Sequence, residues 1–363
     1  MQGMQFQSAE DFQFFPRHWK KRTDSNVRNS FTLLTYNILA DVAMEPIKGY
    51  DKYVPIERRY MDYRLPRILK ELKEMDADVV CLQEVQACIY TNHLQSFMKT
   101  NGYEGVFLQR QDDLGEATFF KSSKFECVDS RCCVLHEIAD DILQKVEMDK
   151  ELRDHIRRHI CKPNAILLTK LKLLDNKKEV AIGNVHALWS TTQLDIVLLQ
   201  VACAVKTLSS FAGGPEKSQI LTGDFNSTPD SAVYHLLSGG EIDKTWREQL
   251  QKHSEKISAT NGGQVQDMYL MDLIENALGH EVPLKSAYAF VLGKEPPITN
   301  HDGAYFDEVL KVCFDYIWFH SDRIDVTAVL DMPPEDALSR HYSLPSPLFP
   351  SDHLPVKAEL LLK

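Results

Sequence analysis

Five short apolar runs, far apart in the chain, each carry an acid, an amide or an imidazole, and a sixth segment of the same kind closes the series near the C-terminus. The runs are FTLLTYN, finishing at Asn37; DVVCLQE, finishing at Glu84; AIGNVH, finishing at His186; ILTGDFN, with Asp224 and Asn226; and CFDYIWF, with Asp315. The closing segment is PSDHLP, with Asp352 and His353. Apolar runs of this length, bounded by glycine or polar residues, are the pattern of strands buried inside a sheet. A strand holds the side chain at its end to a fraction of an ångström, so such a scaffold displays reactive groups there.

The spacing predicts strands over Phe31–Leu39, Val79–Val85, Ala117–Phe120, Ala165–Leu174, Val180–Leu188 and Gln219–Leu221. Helical periods separate some of them. Leu65, Ile68, Leu69 and Leu72 share one face of Arg64–Met75, and Leu194, Val197, Leu198, Val201, Val205 and Leu208 share one face of Thr192–Phe211. A short helix is expected over Ser231–Leu237. Several strands are consecutive, which points to mixed sheets, and neither G-x-G-x-x-G nor G-x-x-x-x-G-K-[ST] is present, which argues against a doubly wound nucleotide fold. Two packed sheets with helices outside fit better. Residues 1–30 read as a polar lead-in. Glu137–Ile160 has helical charge spacing with Asp149 and Arg153 as i,i+4 partners, and Gly239–Gln266 reads as a loop-rich excursion. No internal repeat is visible.

Lys and Arg number 41 against 52 Asp and Glu, a net charge of −11 with neutral His. Non-specific duplex binding, which needs many phosphates neutralised, is therefore not expected. A short single strand or a nucleotide remains a fitting ligand, and a negative chain suits a carboxylate site that takes a divalent cation. The eight cysteines form no C-x-x-C pair, and several lie in apolar runs, so reduced, buried thiols of an intracellular protein are expected. The N-terminus has no apolar h-region and no run of about 18 apolar residues occurs, so a soluble, cytoplasmic chain without a membrane anchor is the expectation.

Taken singly, most of the terminal residues have ordinary structural explanations. Asn37 suits a turn or cap, Asn226 an Asx turn beside Gly223, His186 a satisfied core histidine, and Glu84 a paired structural acid. Asp315 is harder to place in that way, since an acid inside CFDYIWF is costly to bury unless paired or metal-bound. Asp352 stands next to His353, and an Asp can fix a histidine's tautomer and raise its basicity.

In order along the chain, TYNILAD, CLQEVQ, NVH, GDFNS, FDYIWF and SDHLP resemble the exonuclease–endonuclease–phosphatase superfamily. GEATFFKSSKF at 115–125, LKSAYAF ahead of Asn300, and LPSPLFPSDHLP resemble the branch that holds the carbon-catabolite-repressor deadenylases, nocturnin, the Angel proteins and the two-prime phosphodiesterase. The likeness covers residues 31–363 and implies one catalytic domain, where length alone suggests two. It implies an α/β (α+β) four-layer sandwich, two mixed β-sheets flanked by helices.

The resemblance also implies roles. Glu84 would be the principal ligand of a hard cation, Mg²⁺ with Mn²⁺ as substitute, one or two ions in all, with Asn37 helping to hold the metal or a phosphate oxygen. Asp224 would activate water and Asn226 would bond a phosphate oxygen. His186, Asn164 and His353 would face the phosphate, Asp352 would steer His353, and Asp315 would support His186 or the water. Trp189, Asn300 and either Tyr305 or Phe306 are the substrate-binding candidates.

Two departures from the deadenylase pattern stand out. NVHALWSTTQLD keeps Trp189 but lacks the proline that follows it in those enzymes, and NHDGAYFDEVLKVC ahead of Asp315 is longer and more acidic. No leucine-rich L-x-x-L-x-L docking segment is present. The expected function is a Mg²⁺-dependent phosphoesterase of RNA 3′ ends, exoribonuclease-like or processing a terminal phosphate. Alternatives are a phosphatase or phosphodiesterase of a small nucleotide, or an inactive binding module among messenger-RNA decay proteins.

Overall fold

The computed structural model describes residues 7–22, 30–44, 53–239, 241–261, 264–271, 280–303 and 309–363. A seven-stranded sheet contains Trp19–Lys21 (β1), Ser30–Asn37 (β2), Val79–Gln83 (β3), Tyr103–Gln109 (β4), Gly115–Lys121 (β5), Ile324–Leu330 (β16) and Val356–Leu362 (β17), in the order β1-β16-β17-β2-β3-β5-β4. A six-stranded sheet contains Phe125–Val134 (β6), Ala165–Leu173 (β7), Glu179–His186 (β8), Gln219–Asp224 (β9), Leu284–Ser286 (β12) and Asp315–His320 (β15), in the order β12-β15-β9-β8-β7-β6. Both are mixed, with β2 parallel to β3 and β8 parallel to β9. Two small hairpins complete the strands, Ile257–Asn261 (β10) with Gln264–Met268 (β11) and Asn300–Asp302 (β13) with Leu310–Val312 (β14).

Successive strand residues point to opposite faces, and the apolar sequence obeys that period. Phe31 and Leu33 of β2, Val79 and Cys81 of β3, Val180 and Ile182 of β8, Ile220 of β9 and Ile317 and Phe319 of β15 meet in one core between the sheets. The intervening residues face outward. Leu34, Tyr36, Val80 and Leu82 pack on helix Met61–Met75, and Ala181, Val185 and Leu221 pack on helix Leu194–Ala212. The result is helix, sheet, sheet, helix. Extending the same parity to the strand ends places Asn37, His186, Asp224 and Asp315 on the inner faces, at one end of the sandwich.

Several expectations change. Trp19–Lys21, within the supposed lead-in, pairs antiparallel with β16, and Phe12 is buried. Glu137–Ile160 is covered by two helices, Leu135–Leu143 and Lys150–Ile160. Asp149 caps the second through Leu152 N, while the Arg153 guanidinium donates to Leu143 O and Val146 O instead of pairing with Asp149. The excursion Gly239–Gln266 holds helix Lys244–Gln251 and most of the β10–β11 hairpin. Helix Leu194–Ala212 is long and apolar enough to cross a membrane by length and composition, yet 72% of that window is buried inside the fold. It is a core helix here. All eight cysteines are free.

Candidate active site

The register brings the site residues side by side. Across three strands, His186 of β8 lies opposite Asp224 of β9, and Asp224 lies opposite Asp315 of β15. From the other sheet, Asn37 ends β2 and Glu84 directly follows β3. The sheets are joined at this end by polar contacts in place of apolar packing. Gln83 Nε2 donates to Asn184 Oδ1 at 2.7 Å, and Asn37 Nδ2 donates both to Glu84 Oε1 at 2.9 Å and to Asp224 Oδ2 at 3.0 Å. Asn37 Oδ1 accepts from Leu39 N at 3.0 Å. Asn37, expected as a holder of metal or phosphate, thus clamps two carboxylates together across the sheets.

Glu84 also accepts from Ala40 N at 2.8 Å, and it, Leu39 and Asn226 have left-handed backbones, with φ of 56°, 55° and 47°. Such conformations are uncommon for side-chain-bearing residues and cluster at functional sites. Gly223 precedes Asp224 with φ 138°, and a Cβ there would stand 1.9 Å from Val185 O. Gly223→Ala should therefore destabilise the fold by on the order of 3 kcal/mol or more, since backbone of β8 must move. Urea denaturation measures it, and a loss under about 1 kcal/mol would refute this steric account.

His353 sits between two aspartates. Its Nδ1 bonds Asp315 Oδ2 at 2.8 Å and its Nε2 lies 3.5 Å from Asp224 Oδ2. Thr299 Oγ1 donates to the same Asp315 oxygen at 2.7 Å and accepts from Phe314 N and Asp315 N. The partner that fixes the ring is therefore Asp315, where the sequence pointed to Asp352, and Asp315 supports His353, not His186. Burial works against a charged ring, but Asp315, Asp224 and Asp352 outweigh it and hold the His353 pKa well above 6.5. For His186 the balance reverses. Its Nε2 is 3.6 Å from Asp224 Oδ2, yet burial dominates and lowers its pKa to about 4. Burial also raises Glu84, reinforced by Asp352, and raises Asp224. At neutral pH the cleft thus holds one cationic and one neutral imidazole.

A cleft of about 100 Å³ is lined by Glu84, Asp224, Asp352, Asp302, His186, His353, Asn226 and Asn300, with Leu39, Ala43, Trp189, Leu310 and Phe314 as its apolar lining. Asn226 Nδ2 donates to Ala187 O at 2.9 Å and its N–H to Asp224 Oδ1, so it braces the loop it lines. Asn164, expected to face the phosphate, does not line this cleft. Its Nδ2 donates to His186 O and its Oδ1 accepts from Gln200 Nε2, which anchors the end of β8. Tyr305 and Phe306 lie outside the described residues. The reading from sequence missed Phe314 as a lining aromatic, although it is adjacent to Asp315. Its ring centroid is 6.0 Å from that of Trp189.

No family model matches the chain. Among curated proteins it is 29% identical over 355 residues to 2′,5′-phosphodiesterase 12 of Bos taurus, covering 95% of this chain and 53% of that one. It is 29% identical to the CCR4-Not complex 3′-5′-exoribonuclease subunit Ccr4 of Candida albicans, over 92% of this chain and 41% of that one. The chain spans about half the length of these curated relatives. Among solved structures, ANGEL2, a 2′,3′-cyclic phosphatase in complex with adenosine-2′,3′-vanadate, superposes with a TM-score of 0.72 at 24% identity, covering 96% of this chain and 99% of that one. The human nocturnin catalytic domain gives 0.61 at 19%, covering 96% and 97%. The chain is thus similar to proteins of the exonuclease–endonuclease–phosphatase superfamily. The likeness is to its Ccr4, nocturnin and Angel members, and the mixed-sheet sandwich is the fold that these solved structures share.

Members of this superfamily are metal-dependent, and the donor set fits a hard cation. Four carboxylates line the cleft and, among the described residues, no Lys or Arg does. Asp224, Asp315 and His353 also offer ligand atoms within 4.8 Å of one another. Because one Asp315 oxygen already serves Thr299 and His353, this trio is better suited to proton handling, and Glu84 with Asp352 to the ion.

Proposed function

We propose that this protein is a Mg²⁺-dependent phosphoesterase acting on RNA 3′ ends. One observation carries the reading: a cleft walled by four carboxylates and, among the described residues, no Lys or Arg would repel a phosphate unless a cation enters with it. Glu84, with Asp352 beside it, would hold that ion; when bound, it supplies neutralisation of the phosphate and polarises the P–O bond.

The chain's own groups do the rest. Asp224, kept in place by Asn37 and by the rung it shares with His186, takes the proton from the attacking water. His353, cationic and fixed by Asp315, donates through Nε2 to oxygen charge that grows in the transition state. Asn226 adds an amide donor and neutral His186 a second imidazole. Trp189 and Phe314 give a nucleobase an apolar wall. Eight unpaired cysteines support a reducing, cytoplasmic setting. A phosphodiesterase or phosphatase of a small nucleotide is the second reading, favoured by the net charge of −11.

A substrate panel with Mg²⁺ tests this: poly(A) RNA, mixed RNA, RNA ending in a 2′,3′-cyclic phosphate, 2′,5′-oligoadenylate and NADPH. Turnover of RNA 3′ ends is expected, silenced by EDTA and restored by Mg²⁺ or Mn²⁺. Turnover that persists in EDTA would overturn the metal assignment, and turnover of NADPH alone would favour the second reading.

A further inference from the structure

One lining carboxylate has no part in the chemistry above. Asp302 ends β13, two residues beyond Asn300, and the strand period puts both on the cleft face while His301 between them is buried on the other side. The strand is held from both directions. Asn300 forms a bridge with His353, His301 N donates to Asp352 O at 2.8 Å, and Leu354 N donates to Thr299 O at 2.7 Å. Beyond Asp302, Gly303 N donates to Ser343 Oγ at 2.9 Å and Leu344 N to His301 O at 3.2 Å. A carboxylate so braced has a fixed position relative to His353.

Across the hairpin, Asp302 pairs with Leu310, and Leu310 and Phe314 join Trp189 in the apolar wall. The cleft therefore offers an apolar surface and, next to it, an amide and a carboxylate. A nucleoside has the matching halves, a flat base and a ribose whose hydroxyls donate hydrogen bonds. A carboxylate accepts from a ribose diol and repels a phosphate in the same place, the discrimination that acidic residues make in dinucleotide sites.

Resting on the phosphoesterase reading, we propose that Asp302 is a specificity-determining residue that accepts hydrogen bonds from the free ribose hydroxyls of the terminal nucleotide, so that the preferred substrate is a hydroxyl-ended RNA. An end closed as a 2′,3′-cyclic phosphate offers no donor and brings a charge against the carboxylate.

The experiment compares kcat/KM with Mg²⁺ on three oligomers that differ only at the last sugar: ribose with free hydroxyls, 2′-deoxyribose, and the 2′,3′-cyclic phosphate. The wild-type protein should prefer the ribose end over the deoxyribose end by roughly tenfold or more, the effect of one hydrogen bond to a charged acceptor. Asp302→Ala should bring that ratio close to one and raise relative turnover of the cyclic phosphate. Asp302→Asn, which keeps an acceptor and loses the charge, should restore part of the ribose preference. A wild-type protein that turns over RNA without ribose preference overturns the inference alone, as does an Asp302→Ala protein with an unchanged ratio. A wild-type protein with no turnover of any oligomer removes the phosphoesterase reading and this inference with it.

Discussion

Glu84→Gln is expected to lower kcat by roughly 10³ or more, the loss of the charge around which phosphate neutralisation is organised. The folded state should survive. Glu84 accepts from Asn37 Nδ2 and from Ala40 N, and glutamine keeps one acceptor while turning an N–H toward the other donor. That mismatch costs about 1–3 kcal/mol. Part of it is offset, because burial already raises the Glu84 pKa and a neutral side chain escapes that penalty. Metal titration, kcat and thermal melting, measured together, separate these effects. Activity within tenfold of wild type on every substrate would show that the ion is held elsewhere.

His353→Ala should reduce kcat by roughly 10²–10³, about 3–4 kcal/mol, and alter KM far less, because the lost donor matters chiefly as charge develops. The Asp315 contact adds a pH signature. With its pKa held well above 6.5, His353 is protonated at neutral pH, and activity that needs the imidazolium falls as pH rises through that pKa. Asp315→Asn removes the largest charge favouring the cation, so the alkaline limb of the pH–rate profile should move to lower pH. Asp352→Asn should move it less, as the more weakly coupled carboxylate. An alkaline limb that shifts further for Asp352→Asn than for Asp315→Asn would reverse the assignment of the supporting acid.

Much of this site is legible in the sequence because strand parity is local. Phe31, Leu33, Thr35 and Asn37 alternate with Leu34 and Tyr36 whatever the rest of the chain does, so Asn37 shares a face with Leu33. The structure alone shows that this face is the inner one, since Leu33 and Leu34 are equally buried. The Asp315–His353 bond is not local. The partners are 38 residues apart and meet only after β15 and the segment before β17 have docked. Adjacency made Asp352 the obvious partner, yet neighbours in an extended stretch point to different sides. Asn164 misled for a related reason: an amide at a strand start serves the phosphate or the backbone equally well until Gln200 is seen beside it. The helix at Lys244–Gln251 carried a readable signal that polar composition obscured, since Asp243 is an N-cap accepting from Thr245 N and Trp246 N.

The Asn37 clamp joins carboxylates that belong to different sheets, and close to it Ser351 Oγ bonds Asn37 O across a separation of 314 residues. Almost the whole polypeptide must be in place before these atoms coincide. Loops of that span close slowly and late. The reactive constellation is accordingly a global property that needs both sheets and the C-terminal segment in register at once. A ligand seated in the cleft tightens both sheets at once, so its binding registers as protection from hydrogen exchange in strands that it never touches.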